Sequence, residues 1–263
     1  MTRRWLGGTG ESSPDERAVS DVVGYVLVFA LVTATLAAVF TIGFVGLEER
    51  QNAERVENVE RAFDVLDDNI RDIQRYEDPS RATEIRLNGG SMSLETHTEL
   101  VLEYENASGT FEYQRITMST LTYSNGERTV AYEGGAWFRA DGDRGTMRSP
   151  PRFVAEDGQT VLPVVRLLDR GERSTVRGDE TVQVGAETRG SRTLRYPDPE
   201  SGNVTEIRLR IESPYADAWR TYFETETGFS AVSTPSNNEV VATVEEDQVV
   251  YLRVIGIDIS FRQ

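Results

Sequence analysis

Three patterns of apolar and polar positions follow one another along the 263-residue chain. Between Val22 and Leu47 there is no Asp, Glu, Arg or His. A helix needs roughly 20 apolar residues to cross the hydrocarbon of a bilayer, so this run predicts a membrane-spanning helix rather than a core helix. From Glu48 onward the chain is densely charged, yet Val56, Val59, Phe63, Leu66, Ile70 and Ile73 fall at alternating spacings of three and four. That spacing draws one apolar stripe along a helix. No proline interrupts Val19 to Asp78, and Asp78-Pro79-Ser80 supplies the stop. One helix of roughly 85 Å is therefore predicted, at about 1.5 Å per residue. Its stripe suits either the chain's own following domain or a helix of another subunit.

Past Ser80 the period becomes two. Segments starting at Thr83, Glu99, Gly109, Thr129, Thr160, Thr181, Glu206, Glu239 and Gln248 are rich in Val, Ile, Thr and Tyr and predict strands. Asn125-Gly126 signals a hairpin between two of them. The string TEIRL occurs at Thr83 and again at Thr205, too short a repeat to mark two related halves. One stretch, SPYADAWRTYFETETG from Ser213, breaks the strand pattern. Ser213 fits a helix N-cap and Pro214 the first turn; Tyr215, Trp219, Tyr222 and Phe223 fall on neighbouring turns, and Gly228 closes it. The expected fold class is α+β: a long N-terminal helix, transmembrane then amphipathic, before a mostly antiparallel β domain with one short helix. The expected divisions are a hydrophilic leader at 1–18, the apolar helix at 19–47, its amphipathic extension at 48–78 and the β-rich domain at 79–263.

Composition narrows the chemistry. Net charge is -16, and every one of the 28 basic residues is arginine. Such a surface repels nucleic acid phosphate, so no nucleic acid partner is expected. Acid excess without lysine points to a high-salt environment, where the Debye length falls to about 3 Å at 1 M and carboxylates no longer repel one another strongly. The chain has no cysteine and a single histidine, His97, placed by alternation on a strand, so the usual zinc sites cannot be assembled. There is no nucleophile elbow, Walker loop or dinucleotide fingerprint. DGDRG at Asp141 opens like a calcium loop, but Ser149, Pro150, Pro151 and Arg152 follow where closing ligands belong, so a turn is expected. No catalytic residue, metal ligand or cofactor is assigned, and a hydrolase using paired carboxylates ranks well behind a non-enzymatic protein. Asn106 and Asn203 lie in glycosylation sequons, which matter only for a domain outside the cell.

The stretch ERAVSDVVGYVLVFALVTATLAAVF from Glu16 resembles the N-terminus of haloarchaeal type IV pilin-like membrane proteins. The resemblance continues through GLEERQNAERVENVERAFDVLDDN and, more loosely, SPYADAWRTYF. It implies a class III signal peptide: a prepilin peptidase reads Arg17 and Ala18 and cuts on the cytoplasmic side, so that Val19 becomes the first residue. Many pilins carry an acid at the fifth mature position. Here the fifth is Val23 and the third is Asp21, a partner for the freed amine of Val19. The resemblance further implies a single-pass protein of the cell membrane, N-terminus cytoplasmic and β domain extracellular. Its partners would be membrane lipid, the peptidase and other pilin-like subunits meeting through the N-terminal helix. Its role would be that of a pilin-like subunit or minor component of a surface filament. The alternative of a different class is an anchored binding or envelope-associated module that does not polymerise. The arginines flanking the apolar run nearly balance, Arg3, Arg4 and Arg17 before it against Arg50 and Arg55 after it, so orientation rests on the resemblance.

Overall fold

The computed structural model describes residues 14–76, 78–105, 111–142, 144–156, 158–170, 173–196, 206–226, 228–244 and 249–263, with the backbone alone for residues 14–21, 42–53, 97, 105, 111–112 and 144. The chain divides into two compact units, Met1–Glu54 and Arg55–Gln263. The second unit takes in the outer part of the amphipathic extension together with residues 79–263.

A single helix, α1 (Pro14–Tyr76), runs through both patterns predicted to be helical. It begins inside the hydrophilic leader expected at 1–18. Proline suits that first position, because its fixed φ is already helical and its missing N–H has no intrahelical partner there. In the first unit, Val22–Thr41 forms an apolar span of 20 residues with mean hydropathy 2.4 and none of it buried. Its threonines do not spoil this character. Thr33, Thr35 and Thr41 donate to the carbonyls of Phe29, Leu31 and Ala37 at 2.8, 2.7 and 2.8 Å, so each hydroxyl is satisfied within the helix.

The second unit is built on β1 (Ser80–Arg86), β2 (Ser91–Glu105), β3 (Phe111–Asn125), β4 (Arg128–Glu133), β5 (Ala136–Asp141), β6 (Arg144–Ser149), β7 (Val154–Glu156), β8 (Gln159–Asp169), β9 (Thr175–Arg177), β10 (Thr181–Tyr196), β11 (Glu206–Glu212), β12 (Phe229–Ser236), β13 (Glu239–Val244) and β14 (Val249–Arg262), with α2 (Ala216–Thr225) between β11 and β12. The main path of the sheet runs β1-β10-β14-β8-β3-β2-β11-β13-β12, and β4, β5 and β6 extend in turn from β3. All pairs among the described strands are antiparallel except β14 with β8. The mostly antiparallel domain with one short helix is thus the observed fold.

Two hydrophobic cores lie on opposite faces of the long strands. On β3, Leu121 and Tyr123 enter the first core, whereas Ile116 and Met118 enter the second. Odd and even positions of one strand point to opposite faces, so the strand serves both. On β2 the change is made by a bulge. The register slips between Glu95 and Thr98, around His97, which turns Met92 and Leu94 to the first core and Leu100 and Leu102 to the second. The same division runs through β8 and β14, where Val164 and Val254 belong to the second core and Val165 and Ile255 to the first. Each core is capped by one helix.

The first core is capped by α1. Val56, Val59, Phe63, Leu66, Ile70 and Ile73 are all buried in it, so the stripe packs on the chain's own sheet. Polar contacts pin the same helix face: Asn69 Nδ2 donates to Thr83 Oγ1 at 2.9 Å, and Arg139 Nη1 lies 3.0 Å from Glu60 Oε1. The second core is capped by α2 through Ala218, Trp219, Tyr222 and Phe223. This helix starts later than expected. Tyr215, not Ser213, occupies the N-cap and makes no side-chain cap, while Ser213 Oγ accepts the Tyr215 amide at 2.9 Å.

Candidate functional site

The residues implied by the pilin resemblance fall at the start of α1. Arg17, Ala18, Val19 and Asp21 lie on its helical backbone, and their side chains are outside the described residues. Asn106 and Asn203 also lie outside the described residues. His97 sits on β2 at the bulge. Asp141 ends β5 in the hairpin to β6, paired in register with Arg128 and Arg144, as a turn reading requires. Among the described residues no group of three or more His, Asp or Glu could hold a metal ion.

What the first unit offers chemically is the apolar surface of Val22–Thr41. Tyr25, Phe29, Leu31, Val39 and Phe40 are each more than 60% exposed. Water around such a surface costs about 25 cal/mol for each square ångström, and a helix with its backbone amides paired internally is one of the few structures hydrocarbon tolerates.

In the second unit two buried carboxylates stand out. Glu133, at the end of β4, is fully buried on the second-core face, where an unpaired charge would be very costly. It is saturated instead. Oε2 accepts Thr98 Oγ1 at 2.7 Å and Thr120 Oγ1 at 2.8 Å, while Oε1 accepts Trp219 Nε1 at 2.9 Å and the Ser213 hydroxyl. Four donors thus join β2, β3, the β11–α2 turn and α2 to one carboxylate. The turn that follows lets this happen. Gly134 and Gly135 have φ of 65° and 101°, a two-residue hairpin that favours Gly-Gly, and a Cβ on Gly134 would sit 3.3 Å from the Trp219 ring. The glutamate's charge is felt nearby: burial, then Glu133, pushes the Tyr215 hydroxyl well above its ordinary pKa.

Asp67 is the counterpart under α1. Its Oδ2 accepts Ser149 Oγ at 2.7 Å and lies 3.0 Å from Arg71 Nη2, which itself donates to Ser149 Oγ at 2.7 Å and Pro150 O at 3.2 Å. Among the described residues its Oδ1 has no hydrogen-bond partner, and neither does the buried hydroxyl of Tyr132 on β4. Burial pushes the Asp67 carboxyl up to about 6, against the lowering effects of Ser149, Arg71 and Arg152, with Asp68 adding to the rise. Tyr132 is raised well above its ordinary value by burial and by the Asp67 charge. Asp67 therefore changes charge near neutral pH, whereas Glu133 has both oxygens occupied and no access to a substrate.

Sequence reasoning missed both carboxylates, because an acid on a strand or helix reads as solvated. The Gly134-Gly135 pair was the available signal for Glu133, since it marks a hairpin after β4.

The family model described as "Family of unknown function (DUF7289)" matches residues 17–260, beginning at Arg17 and taking in the apolar run and the β domain. A protein of Archaeoglobus fulgidus, described as an uncharacterized protein, is 30% identical over 95 residues, 36% of this chain. That match spans 31% of the relative's own length. No solved structure matches the chain.

Proposed function

We propose, starting from the fact that this chain belongs to the Family of unknown function (DUF7289), that it is a non-enzymatic, membrane-anchored surface protein: a type IV pilin-like subunit or minor component of a surface filament. One observation carries the proposal. A polar leader with Arg17-Ala18 at its end runs straight into a helix whose span Val22–Thr41 is apolar, unburied and long enough to cross a bilayer. Prepilin peptidase then cuts between Ala18 and Val19, and Arg17 and the small Ala18 are the residues it reads. The freed amine of Val19 has Asp21 as its acidic neighbour. The apolar helix holds the chain in the membrane with the β domain outside, and in a filament it meets the helices of other subunits.

A second reading has an observation of its own. The stripe from Val56 to Ile73 is already buried against the chain's own sheet, so the outer part of α1 offers no seam to another helix. That favours an anchored binding or envelope-associated module which never polymerises. Mass analysis of filaments sheared from cells separates the two. The filament proposal expects this chain among the sheared subunits, beginning at Val19; a chain confined to the membrane fraction would move the weight to the anchored module. The high-salt reading has a separate check, loss of circular dichroism signal as salt is lowered from 1 M. A fold insensitive to salt would remove it.

A further inference from the structure

A small pocket opens where α2 ends against β7. Its cavity is about 190 Å³, and its lining includes three aromatic rings, Phe153, Tyr222 and Phe229, and two acids, Glu156 and Glu226, with no basic side chain among the described residues. Phe153 and Tyr222 meet edge to face, their ring centroids 6.1 Å apart at 67°, so the cavity is bordered by rings set at an angle rather than by a flat stack. Behind them Phe223 packs on Phe229 at 4.7 Å and on Phe153 at 6.5 Å, which fixes the ring positions from the core side. Fully buried Thr160 on β8 also lines the cavity.

The backbone holds the acids beside the rings. Gly228 has φ of 93°, and a Cβ there would come within 2.1 Å of Ala155 Cβ. Only glycine lets the turn after α2 press against β7 in this way, and the contact brings Glu226 next to the strand that carries Glu156. Ring faces carry negative potential and attract cations that shed water readily, and the attraction grows where water is partly excluded. Two carboxylates at the rim add the charge. Sodium or potassium would keep its hydration shell and fit the rings poorly.

We propose that this pocket binds an organic cation, a methylated ammonium head group whose methyls lie against Phe153, Tyr222 and Phe229 and whose charge is balanced by Glu156 and Glu226. The site is independent of filament membership, since it lies wholly in the Arg55–Gln263 unit.

The test is calorimetric titration of the detergent-solubilised full-length protein with tetramethylammonium chloride at constant ionic strength, with tert-butyl alcohol as the uncharged counterpart of similar shape. Tetramethylammonium should bind at least about tenfold more tightly than the alcohol, because the rings and acids reward charge. Glu156→Gln and Glu226→Gln, both on exposed side chains, should each weaken it about threefold or more, and Phe229→Leu by a similar factor. Should Phe229→Leu disturb the fold by circular dichroism, the two glutamine variants still decide. Absent binding, equal binding of the alcohol, or binding unchanged in both glutamine variants would each overturn the proposal.

Discussion

The two apolar stretches of α1 are written in the same residue types and have opposite fates. Between Val22 and Thr41 every described side chain is exposed, including Phe29 at 63% and Leu31 at 66%. From Val56 to Ile73 the stripe residues are at most 3% exposed. The difference lies in what surrounds the apolar atoms. The first stretch is apolar all round, so one covering face could never satisfy it and lipid is the medium that can. The second is apolar along one stripe and charged elsewhere, so a single sheet face completes it. A helix that is apolar all round has to be matched to its solvent; one with a stripe has to be matched to a partner.

The largest effect should come from hollowing the stripe. Phe63→Ala removes a ring with zero exposure from the first core and should cost about 3–5 kcal/mol. Thermal melting of the detergent-solubilised chain would lose its cooperative transition or shift it down steeply, while the protein still fractionates with membranes. Ala34→Arg should do the reverse. A charge at the centre of a spanning helix costs about 2.5–3.5 kcal/mol of insertion, so membrane fractionation should fall while the β-domain transition stays in place. If either variant produced both losses, the two stretches would not be acting separately.

Asp67 offers a finer cut, because it sits on the sheet-facing side of α1. Its folded value of about 6 stands above the ordinary 3.8. A raised carboxyl favours the fold in its protonated form, so its contribution is fully present below about 3.8 and is lost as pH rises through about 6. At roughly 1.4 kcal/mol per unit, the contribution is on the order of 2–3 kcal/mol. Asp67→Asn should therefore gain on the parent as pH rises from 4 to 7, seen as a widening difference in melting temperature. The general acid excess acts on both chains alike, so a constant difference across that range would count against the assignment to Asp67. Smallest of all, Val65→Ser changes a residue 53% exposed on the far side of the same helix, and should move stability by less than about 0.5 kcal/mol.

How much of this was legible in the sequence depends on how far apart the cooperating residues lie. The α1 stripe was readable to the residue, because its spacing of three and four is local and survives burial on one face. Strands such as β1 and β11, which alternate buried and wet positions, were readable for the same reason, whereas β6 and β12 were not predicted. Nor was β5: Ala136, Trp137 and Phe138 are all buried, so alternation disappears where a strand is covered on both faces. The short strands β7 and β9, of three residues each, carry too few positions to show a period. Ser213 shows a local signal redirected by tertiary contact. Its sequence context is that of a helix cap, but its hydroxyl donates to Glu133, 80 residues away. Nor could Glu133 itself be seen, since Thr98, Thr120, Ser213 and Trp219 come from four separate segments that meet only in the folded sheet.

The anchor claim is tested most directly at the start of α1, where the apolar span meets the leader. Mass analysis of the N-terminus should be made on full-length protein extracted from membranes of cells with active prepilin peptidase, beside Ala18→Leu and Arg17→Glu variants. The proposed pilin-type anchor predicts a parent chain beginning at Val19 and variants that keep the leader. A parent chain beginning at Met1 or Thr2 would contradict it.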